Sequence, residues 1–213
     1  MMDILSTQFS DYLNNLVPPR STLIQEMEDR AEKEGFPIIG PACGHVCYQI
    51  ARMTGAKRIF ELGSGFGYST AWFAKAVMEN GGGEVHHVVW EESLSTQAKT
   101  ALDQLGYSQI IQYSVGEAVA ALEKESGEFD LIFCDIDKEA YPQAVKVVEK
   151  KLRPGGVLIV DNMLWSGRIF DDKDDSAETN GIREATGMLA SNDNWITSIL
   201  PIRDGLLLAL KTV

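Results

Sequence analysis

The sequence predicts an α/β fold in which a doubly wound, mostly parallel sheet has helices on both faces. From Lys57 onward, short apolar runs typical of buried strands alternate with segments of helical periodicity, which is the pattern of successive βα units. Residues 194–213 contain instead two apolar runs on either side of Asp204-Gly205, a turn signal that predicts an antiparallel C-terminal hairpin.

The part of the chain before Lys57 is predicted to be helical. Apolar residues recur at loosely helical spacing up to the break at Pro18-Pro19, at positions Ile4, Phe9, Leu13 and Leu16. Ser21 is suited to cap a second helix that extends to Glu34, and Gly35 is suited to end it. A third helix is predicted over residues 42–53.

The rest of the chain predicts short strands separated by helices. The predicted strands are RIFELG (58–63), EVHHVVWE (84–91), QIIQYS (109–114), FDLIFCD (129–135) and GGVLIVDN (155–162). The predicted helices follow at 69–78, 94–105, 118–124, 141–150 and 178–190. With the two strands of the hairpin, these elements predict a Rossmann-like, seven-stranded sheet.

Length and charge limit the class of protein and its partners. The 213 residues fit a single domain, residues 1–213. A formal net charge of -12 disfavours binding to nucleic acid or to an anionic membrane, since both attract Lys and Arg. The sequence has no apolar run long enough to span a membrane and no signal peptide pattern at its start, so a cytoplasmic protein without membrane contact is expected.

The three cysteines do not predict a disulfide framework. Cys134 lies in an apolar run and is expected to be a small buried hydrophobic residue. Cys43 and Cys47 flank His45, but a zinc site would need further ligands at a suitable spacing, and none is apparent. We therefore expect reduced, structural cysteines.

A glycine-rich turn, ELGSGFGYS, joins the first predicted strand to a helix. Gly63, Gly65 and Gly67 let the backbone turn sharply and approach a ligand, and the helix that follows presents free N–H groups. The pattern is G-x-G-x-G, which alone leaves a nicotinamide dinucleotide open as the ligand.

Residues at neighbouring strand ends favour an adenosine-containing cofactor. Glu61 precedes the turn, and Glu91 ends the next strand, where a carboxylate can accept hydrogen bonds from both ribose hydroxyls. Gly116, Glu117 and Ala118 end the third strand and are placed to flank an adenine. The carboxyl ends of parallel strands meet at one edge of the sheet, so these residues predict one ligand site.

A second set of polar residues ends the fourth and fifth strands. Asp135, Asp137 and Lys138 follow one strand, and Asp161 and Asn162 follow the other. Two carboxylates and an amide oxygen suit Mg²⁺, or else Mn²⁺ or Ca²⁺. Such an ion would polarise a substrate hydroxyl, and Lys138 would then take the proton. The simpler alternative is that Asp135 and Asp161 cap helices.

Four motifs resemble the family of cation-dependent O-methyltransferases that includes caffeoyl-CoA and catechol O-methyltransferases, especially its bacterial members. These motifs are ELGSGFGYST, FDLIFCDIDKEAYPQAV, LRPGGVLIVDNMLWSGRIFD and LPIRDGLLLALK. The similarity extends from about residue 36 to the C-terminus. It implies a class I methyltransferase that uses S-adenosylmethionine and a divalent cation, most simply Mg²⁺, to methylate a small, catechol-like hydroxylated acceptor.

The resemblance also implies roles for individual residues. Asp135, Asp161 and Asn162 would be the metal ligands, and Lys138 the base. The cofactor would contact residues at the ends of the first four strands: Glu61, Gly63, Gly65, Tyr68, Ser69, Glu91, Gly116, Glu117, Ala118, Asp135 and Asp137. The N-terminal helical portion, residues 1–56, would cover the acceptor site, and a homodimer is expected.

The acceptor side is less constrained by the sequence. Trp165 is a candidate to flank an aromatic acceptor, and Arg168 a candidate to meet an anionic group, while a packing tryptophan and a surface arginine are the alternatives. Two other functions stay open, namely a nicotinamide-dependent oxidoreductase and a non-catalytic module that only binds the cofactor.

Overall fold

The computed structural model describes residues 7–213. The helices are α1 (Thr7–Leu16), α2 (Thr22–Glu34), α3 (Gly40–Met53), α4 (Tyr68–Glu79), α5 (Glu92–Gln104), α6 (Ala118–Lys124), α7 (Tyr141–Lys151) and α8 (Ala177–Ala190). The strands are β1 (Arg58–Leu62), β2 (Glu84–Val89), β3 (Ile111–Val115), β4 (Phe129–Cys134), β5 (Leu152–Val160), β6 (Trp195–Leu200) and β7 (Leu206–Lys211). Short 3₁₀ segments lie at Lys138–Ala140 and Trp165–Phe170. The predicted start of the first helix, including Ile4, lies outside the described residues.

All seven strands form one sheet in the order β3-β2-β1-β4-β5-β7-β6. The neighbours from β3 to β5 pair in parallel, whereas β7 runs antiparallel to both β5 and β6. This arrangement confirms the predicted fold class, a Rossmann-like sheet with an antiparallel C-terminal hairpin.

An apolar cluster covers each face of the sheet. On one face, strand residues such as Ile59 and Phe133 pack with residues of α2 to α5. On the other face, Phe60 and Ile132 pack with residues of α6, α7 and α8. Because neighbouring side chains of a strand point to opposite faces, the apolar residues of the central strands supply both clusters.

The predicted boundaries of the second helix are confirmed by its caps. The Ser21 hydroxyl accepts a hydrogen bond from the Ile24 amide at 3.4 Å, and Gly35 after the helix has a φ of 64°. The first turn of α3 includes Pro41, so this helix begins at Gly40 rather than at residue 42.

The predicted starts of two strands were wrong, and the predicted ends differ from the observed ends by one or two residues. The third strand begins at Ile111 rather than at residue 109, because the amide of Ile110 closes a turn on the Tyr107 carbonyl at 3.0 Å. The fifth begins at Leu152 rather than at residue 155, and a register shift against Phe129 accommodates its irregular start.

The predicted hairpin is present, but its connection is not a two-residue turn at Asp204-Gly205. Strand β6 ends at Leu200 and β7 begins at Leu206, so residues 201–205 form the connection. Its last residues bind the segment after β5: the carbonyls of Asp204 and Gly205 accept the Leu164 and Met163 amides at 2.8 and 3.0 Å. The loop is therefore fixed to the carboxyl end of β5.

The strand order reverses direction between β1 and β4, which is the switch point at which such sheets bind ligands. Here Gly63, with a φ of 85°, lies so close to β4 that a Cβ atom would be 2.3 Å from the Asp135 carbonyl oxygen. Only glycine allows this approach. Within residues 7–213, none of the helices is long and apolar enough to cross a membrane.

Candidate active site

A cavity of about 600 Å³ lies over the carboxyl ends of the central strands. Its wall brings together most of the residues predicted for the site: Gly63, Gly65, Tyr68, Ser69, Gly116, Ala118, Asp135, Asp137, Lys138, Asn162 and Trp165. The glycine turn and Gly116 lie on the side of β1 to β3, and Lys138 and Asn162 on the side of β4 and β5. One cavity therefore joins the two predicted residue sets.

Five predicted residues do not line this cavity: Glu61, Glu91, Glu117, Asp161 and Arg168. Glu61 and Asp161 are completely buried beneath the strand ends. Glu91 is exposed next to Trp90, which does line the cavity, and its carboxylate accepts a hydrogen bond from the Ser93 hydroxyl at 3.2 Å. The Glu117 carboxylate accepts the Val119 amide at 2.8 Å and so caps α6.

The glycine turn is anchored to the neighbouring strand β2. The Ser64 amide donates to the Val88 carbonyl at 2.9 Å, and the Ser64 hydroxyl accepts the Val88 amide at 2.9 Å. Gly67 then precedes α4 in the left-handed conformation, with a φ of 94°. These contacts direct the first turn of α4, with Tyr68 and Ser69, toward the cavity.

Glu61 carries a carboxyl group into the core beneath the glycine turn. Neither of its oxygens has a partner in hydrogen-bonding geometry within residues 7–213. Burial raises the pKa of this carboxyl group to about 7, although the nearby hydroxyls of Ser69, Thr70 and Ser64 partly oppose the rise. The carboxyl group therefore changes charge near neutral pH.

Tyr68 links the cavity to the N-terminal helices. Its hydroxyl donates to the Glu28 carboxylate on α2 at 2.8 Å, and Arg20 forms an ion pair with the same carboxylate at 2.8 Å. Burial and the Glu28 hydrogen bond raise the pKa of the Tyr68 hydroxyl. Tyr68 is thus a neutral residue held in one position.

Lys138 is nearly buried at the opposite side of the cavity. Its ammonium group donates to the Asp135 carboxylate at 2.8 Å and to the Ile136 carbonyl at 3.0 Å. The rings of Tyr141 and Trp165 lie 5.2 and 5.8 Å from the nitrogen. The amine is therefore fixed beside the strand-end carboxylate.

Asp161 has hydrogen bonds to both carboxylate oxygens. Its Oδ1 accepts the Asn162 amide at 2.8 Å, and its Oδ2 accepts the Arg203 guanidinium at 2.7 Å. Burial, and then the charge of Asp135, raise the pKa of Asp161 to about 6, against the opposing effect of Arg203. Neither Asp135 nor Asp161 caps a described helix with its side chain, so the capping alternative is not supported.

The two candidate acceptor contacts differ in position. Trp165 lines the cavity, and its indole N–H is buried without a partner in the described part of the chain. The Arg168 guanidinium lies over the Trp165 ring at 5.5 Å, but it pairs with Asp174 at 2.7 Å on the exposed outer side. Arg168 thus contributes to the acceptor side only through Trp165.

Several cavity residues were not predicted. The linker between α2 and α3 contributes Phe36, Pro37, Ile38 and Ile39, and the hairpin connection contributes Arg203. An apolar run between two helices is a weak signal for a pocket wall. No local pattern relates Arg203 to Asp161, because their contact depends on the sheet order.

A metal cannot be assigned from the carboxylates alone. Within residues 7–213, no group of three or more His, Cys, Asp or Glu side chains is arranged to hold a metal ion. The set predicted from the sequence has two carboxylates, and its third member is the amide of Asn162, which lines the cavity in the left-handed conformation with a φ of 60°.

Comparison with known proteins identifies the class of enzyme. Residues 20–212 match a family model described as O-methyltransferase. The chain therefore belongs to this O-methyltransferase family. This confirms the resemblance indicated by the four motifs and the predicted class of enzyme.

Individual relatives span nearly the whole chain. A catechol O-methyltransferase of Niastella koreensis is 28% identical over 210 residues, covering 93% of this chain and 94% of its own. The S-adenosylmethionine complex of TomG, an O-methyltransferase of Streptomyces achromogenes involved in tomaymycin synthesis, is 26% identical with a TM-score of 0.86, covering 97% of this chain and 96% of its own.

A third similar protein supports the fold alone. The O-methyltransferase of Bacillus cereus, solved with S-adenosylhomocysteine, has a TM-score of 0.87 at 24% identity and covers 97% of this chain and 98% of its own.

Proposed function

We propose that this O-methyltransferase uses S-adenosylmethionine and a divalent cation to methylate a hydroxyl of a small, catechol-like acceptor. The observation that carries the proposal is the single cavity that joins the glycine turn to Asp135, Lys138 and Asn162. A volume of about 600 Å³ lies within the range of small-molecule sites.

The cofactor is proposed to lie along the strand ends from β3 to β4. Gly63, Gly65, Tyr68 and Ser69 would hold its methionine part, with Glu61 and Asp135 as the nearby negative charges. Glu91 would bind the ribose after turning from Ser93, and Gly116 to Ala118 would flank the adenine beside Trp90, with Asp137 at the cavity rim. A sulfonium cation fits this surplus of carboxylates.

The residues that follow β4 and β5, at the other side of the cavity, fit a divalent cation. Asp135 and Asp161 end adjacent strands closely enough for one charge to raise the other's pKa, and Asn162 adds a third oxygen. Mutually repelling oxygen ligands of this kind suit Mg²⁺ or Mn²⁺. When bound, such an ion would act as a Lewis acid that favours the ionised form of the acceptor hydroxyl.

The chain's own residues then supply position and proton transfer. Trp165 would pack against the aromatic acceptor. Lys138 Nζ would take the hydroxyl proton after its ammonium group has separated from Asp135 and lost a proton to solvent, which leaves the neutral amine as the base. The acceptor oxygen would attack the methyl carbon of S-adenosylmethionine, and the electron pair of the broken carbon–sulfur bond would stay on sulfur to give S-adenosylhomocysteine. The N-terminal portion, residues 1–56, is proposed to cover this site through the apolar linker at 36–39.

Calorimetry and a methylation assay test the proposal. We expect binding of S-adenosylhomocysteine and not of NAD, and methylation of at least one member of a catechol panel that EDTA abolishes. Binding of NAD alone would indicate an oxidoreductase. Cofactor binding without any methylation would indicate a non-catalytic module, and full activity in EDTA would remove the metal from the proposal.

A homodimer and a cytoplasmic location remain predictions from the sequence.

A further inference from the structure

The buried carboxylate Asp161 is neutralised by a cation from a distant loop. Arg203 donates to Asp161 Oδ2 at 2.7 Å, and within residues 7–213 this is the one side-chain hydrogen bond that Arg203 makes. Asp161 is completely buried, whereas about a third of the Arg203 side chain, 34%, is exposed. The arginine therefore lies between the carboxylate and the cavity, which it also lines.

The backbone holds Arg203 in this place. Its loop is bound to the segment after β5 by the Asp204 carboxylate, which accepts the Ser166 amide at 2.6 Å and the Asn162 side-chain amide at 3.3 Å. Arg203 itself has a φ of 51°, a conformation that costs energy for a residue other than glycine. The side chain is thus presented to Asp161 by a fixed loop.

Each strand-end carboxylate has its own cation. Lys138 pairs with Asp135 at 2.8 Å, as Arg203 does with Asp161 at 2.7 Å. The four side chains together are electrically neutral, so each of these two carboxylates is compensated without a metal. A divalent cation would place two further positive charges beside these two, and it would compete with them for the same oxygens.

We propose that Arg203 is a built-in counter-ion that must release Asp161 when a divalent cation binds, and that it thereby sets the metal affinity of the site. The proposal rests on the metal part of the proposed function. Arg203 suits this role because a long side chain with a single hydrogen bond to the chain can move into the adjoining cavity, whereas Asp161 cannot leave the core.

Mn²⁺ binding to the full chain tests this role without an activity assay. Electron paramagnetic resonance measures the free ion in the presence of saturating S-adenosylhomocysteine. We expect Arg203→Met to bind Mn²⁺ about tenfold or more tightly than the wild-type protein, because the competing charge is gone. Arg203→Gln, which retains a donor without the charge, is expected to shift the affinity in the same direction and replaces the first variant if that one does not fold.

The matched control is Arg153→Met. Arg153 is similarly exposed, at 37%, and pairs with Asp130 at 2.6 Å, but at the opposite end of the sheet. Its loss removes the same net charge, so we expect less than a threefold change in Mn²⁺ affinity.

Three outcomes would overturn the inference. Unchanged or weaker Mn²⁺ binding by Arg203→Met, in a variant that binds S-adenosylhomocysteine normally, would overturn it and leave the proposed function intact. An equal gain in Arg153→Met would show a general charge effect. Absence of Mn²⁺ binding from both the wild-type protein and Arg203→Met would overturn it together with the metal part of the proposed function.

Discussion

At the scale of single residues, Glu61 shows how a site can place an acid where its charge is costly. The direction of the Glu61 side chain follows from its place in β1, because neighbouring residues of a strand point to opposite faces of the sheet. Burial raises the pKa of its carboxyl group to about 7, so ionisation of Glu61 at neutral pH destabilises the folded protein.

This shift predicts a pH dependence of stability. The folded protein keeps the Glu61 proton up to a pKa of about 7, while the reference value is 4.5, so the free energy of unfolding falls as pH rises through this window. Relative to wild type, Glu61→Gln should gain up to about 3 kcal/mol between pH 4.5 and 8, since one pKa unit corresponds to about 1.4 kcal/mol. Urea unfolding without cofactor measures this gain, and exposed Glu128→Gln is the control. Parallel pH profiles for Glu61→Gln and wild type would contradict it.

Lys138 is the residue on which the proposed proton transfer depends. Lys138→Met preserves the buried aliphatic part of the side chain but removes the amine, so we expect kcat to fall by about 10²–10⁴-fold, the usual contribution of a positioned base. Binding of S-adenosylhomocysteine should change by less than about threefold, as measured by calorimetry. Lys146→Met, on the exposed side of α7, serves as the control. Retention of more than a tenth of kcat by Lys138→Met would exclude the amine as the base.

Residue identities were predictable from the sequence only where the strand ends fix them. Asp135 and Asp161 each follow a strand, and parallel pairing of β4 and β5 brings those ends together. Arg203 and the Glu28–Tyr68 hydrogen bond were missed because each joins segments far apart in the chain, and no local period encodes such contacts. The side chain of Glu117 caps α6, a contact that the sequence analysis did not predict, and its place at the adenine stays a prediction.

At the scale of elements, α8 determines where the Lys138 segment lies. Gly181 on α8 packs directly against that segment, and a Cβ atom there would be 2.3 Å from the Lys138 carbonyl oxygen. The contact joins the backbone of α8 to the backbone of the Lys138 segment without an intervening side chain. The apolar periodicity of α8 predicts the helix but not this close approach.

Substitution of Gly181 tests the contact. Gly181→Ala should destabilise the protein by about 1–3 kcal/mol, because the obstacle is backbone that must move, and it should lower kcat by displacing Lys138. Gly187→Ala, in the same helix with nothing within 4 Å of its Cβ position, should be neutral or stabilise by up to about 1 kcal/mol. Thermal unfolding and kcat of both variants measure the difference. Equal effects would show that the close approach is not a constraint.

Among the elements, the central strands rich in apolar residues were predicted most closely. Both β1 and β4 begin where expected, because most of their residues are apolar, as is typical of buried parallel strands. The start of β5 was missed since Arg153-Pro154-Gly155 has the composition of a turn, yet pairing of Leu152 with Phe129 extends the strand past it. Pairing with β4 determines where β5 begins, and the local sequence around residue 152 does not indicate where β4 lies.

At the scale of the whole molecule, the cavity lies between two layers, the sheet and the linker at 36–39, which separate segments of the sequence form. The sheet provides the glycine turn and the carboxylates, and the linker at 36–39 provides an apolar wall. The contact of Phe36 with Phe66, at 5.0 Å between ring centroids, joins the linker to the glycine turn. A ligand that fills the cavity would touch both layers and couple their stabilities.

Hydrogen exchange measured with and without S-adenosylhomocysteine tests this coupling. We expect slower exchange both in the glycine turn and in the linker at 36–39, because the bound ligand stabilises the closed arrangement of the two layers over their local opening. The strand β6 provides the internal control, since it lies at the far edge of the sheet and is separated from β5 by β7, and its exchange should stay the same. Protection confined to the glycine turn would show that the N-terminal portion does not close over the ligand. Protection spread evenly over β6 as well would indicate global stabilisation rather than coupling at the cavity.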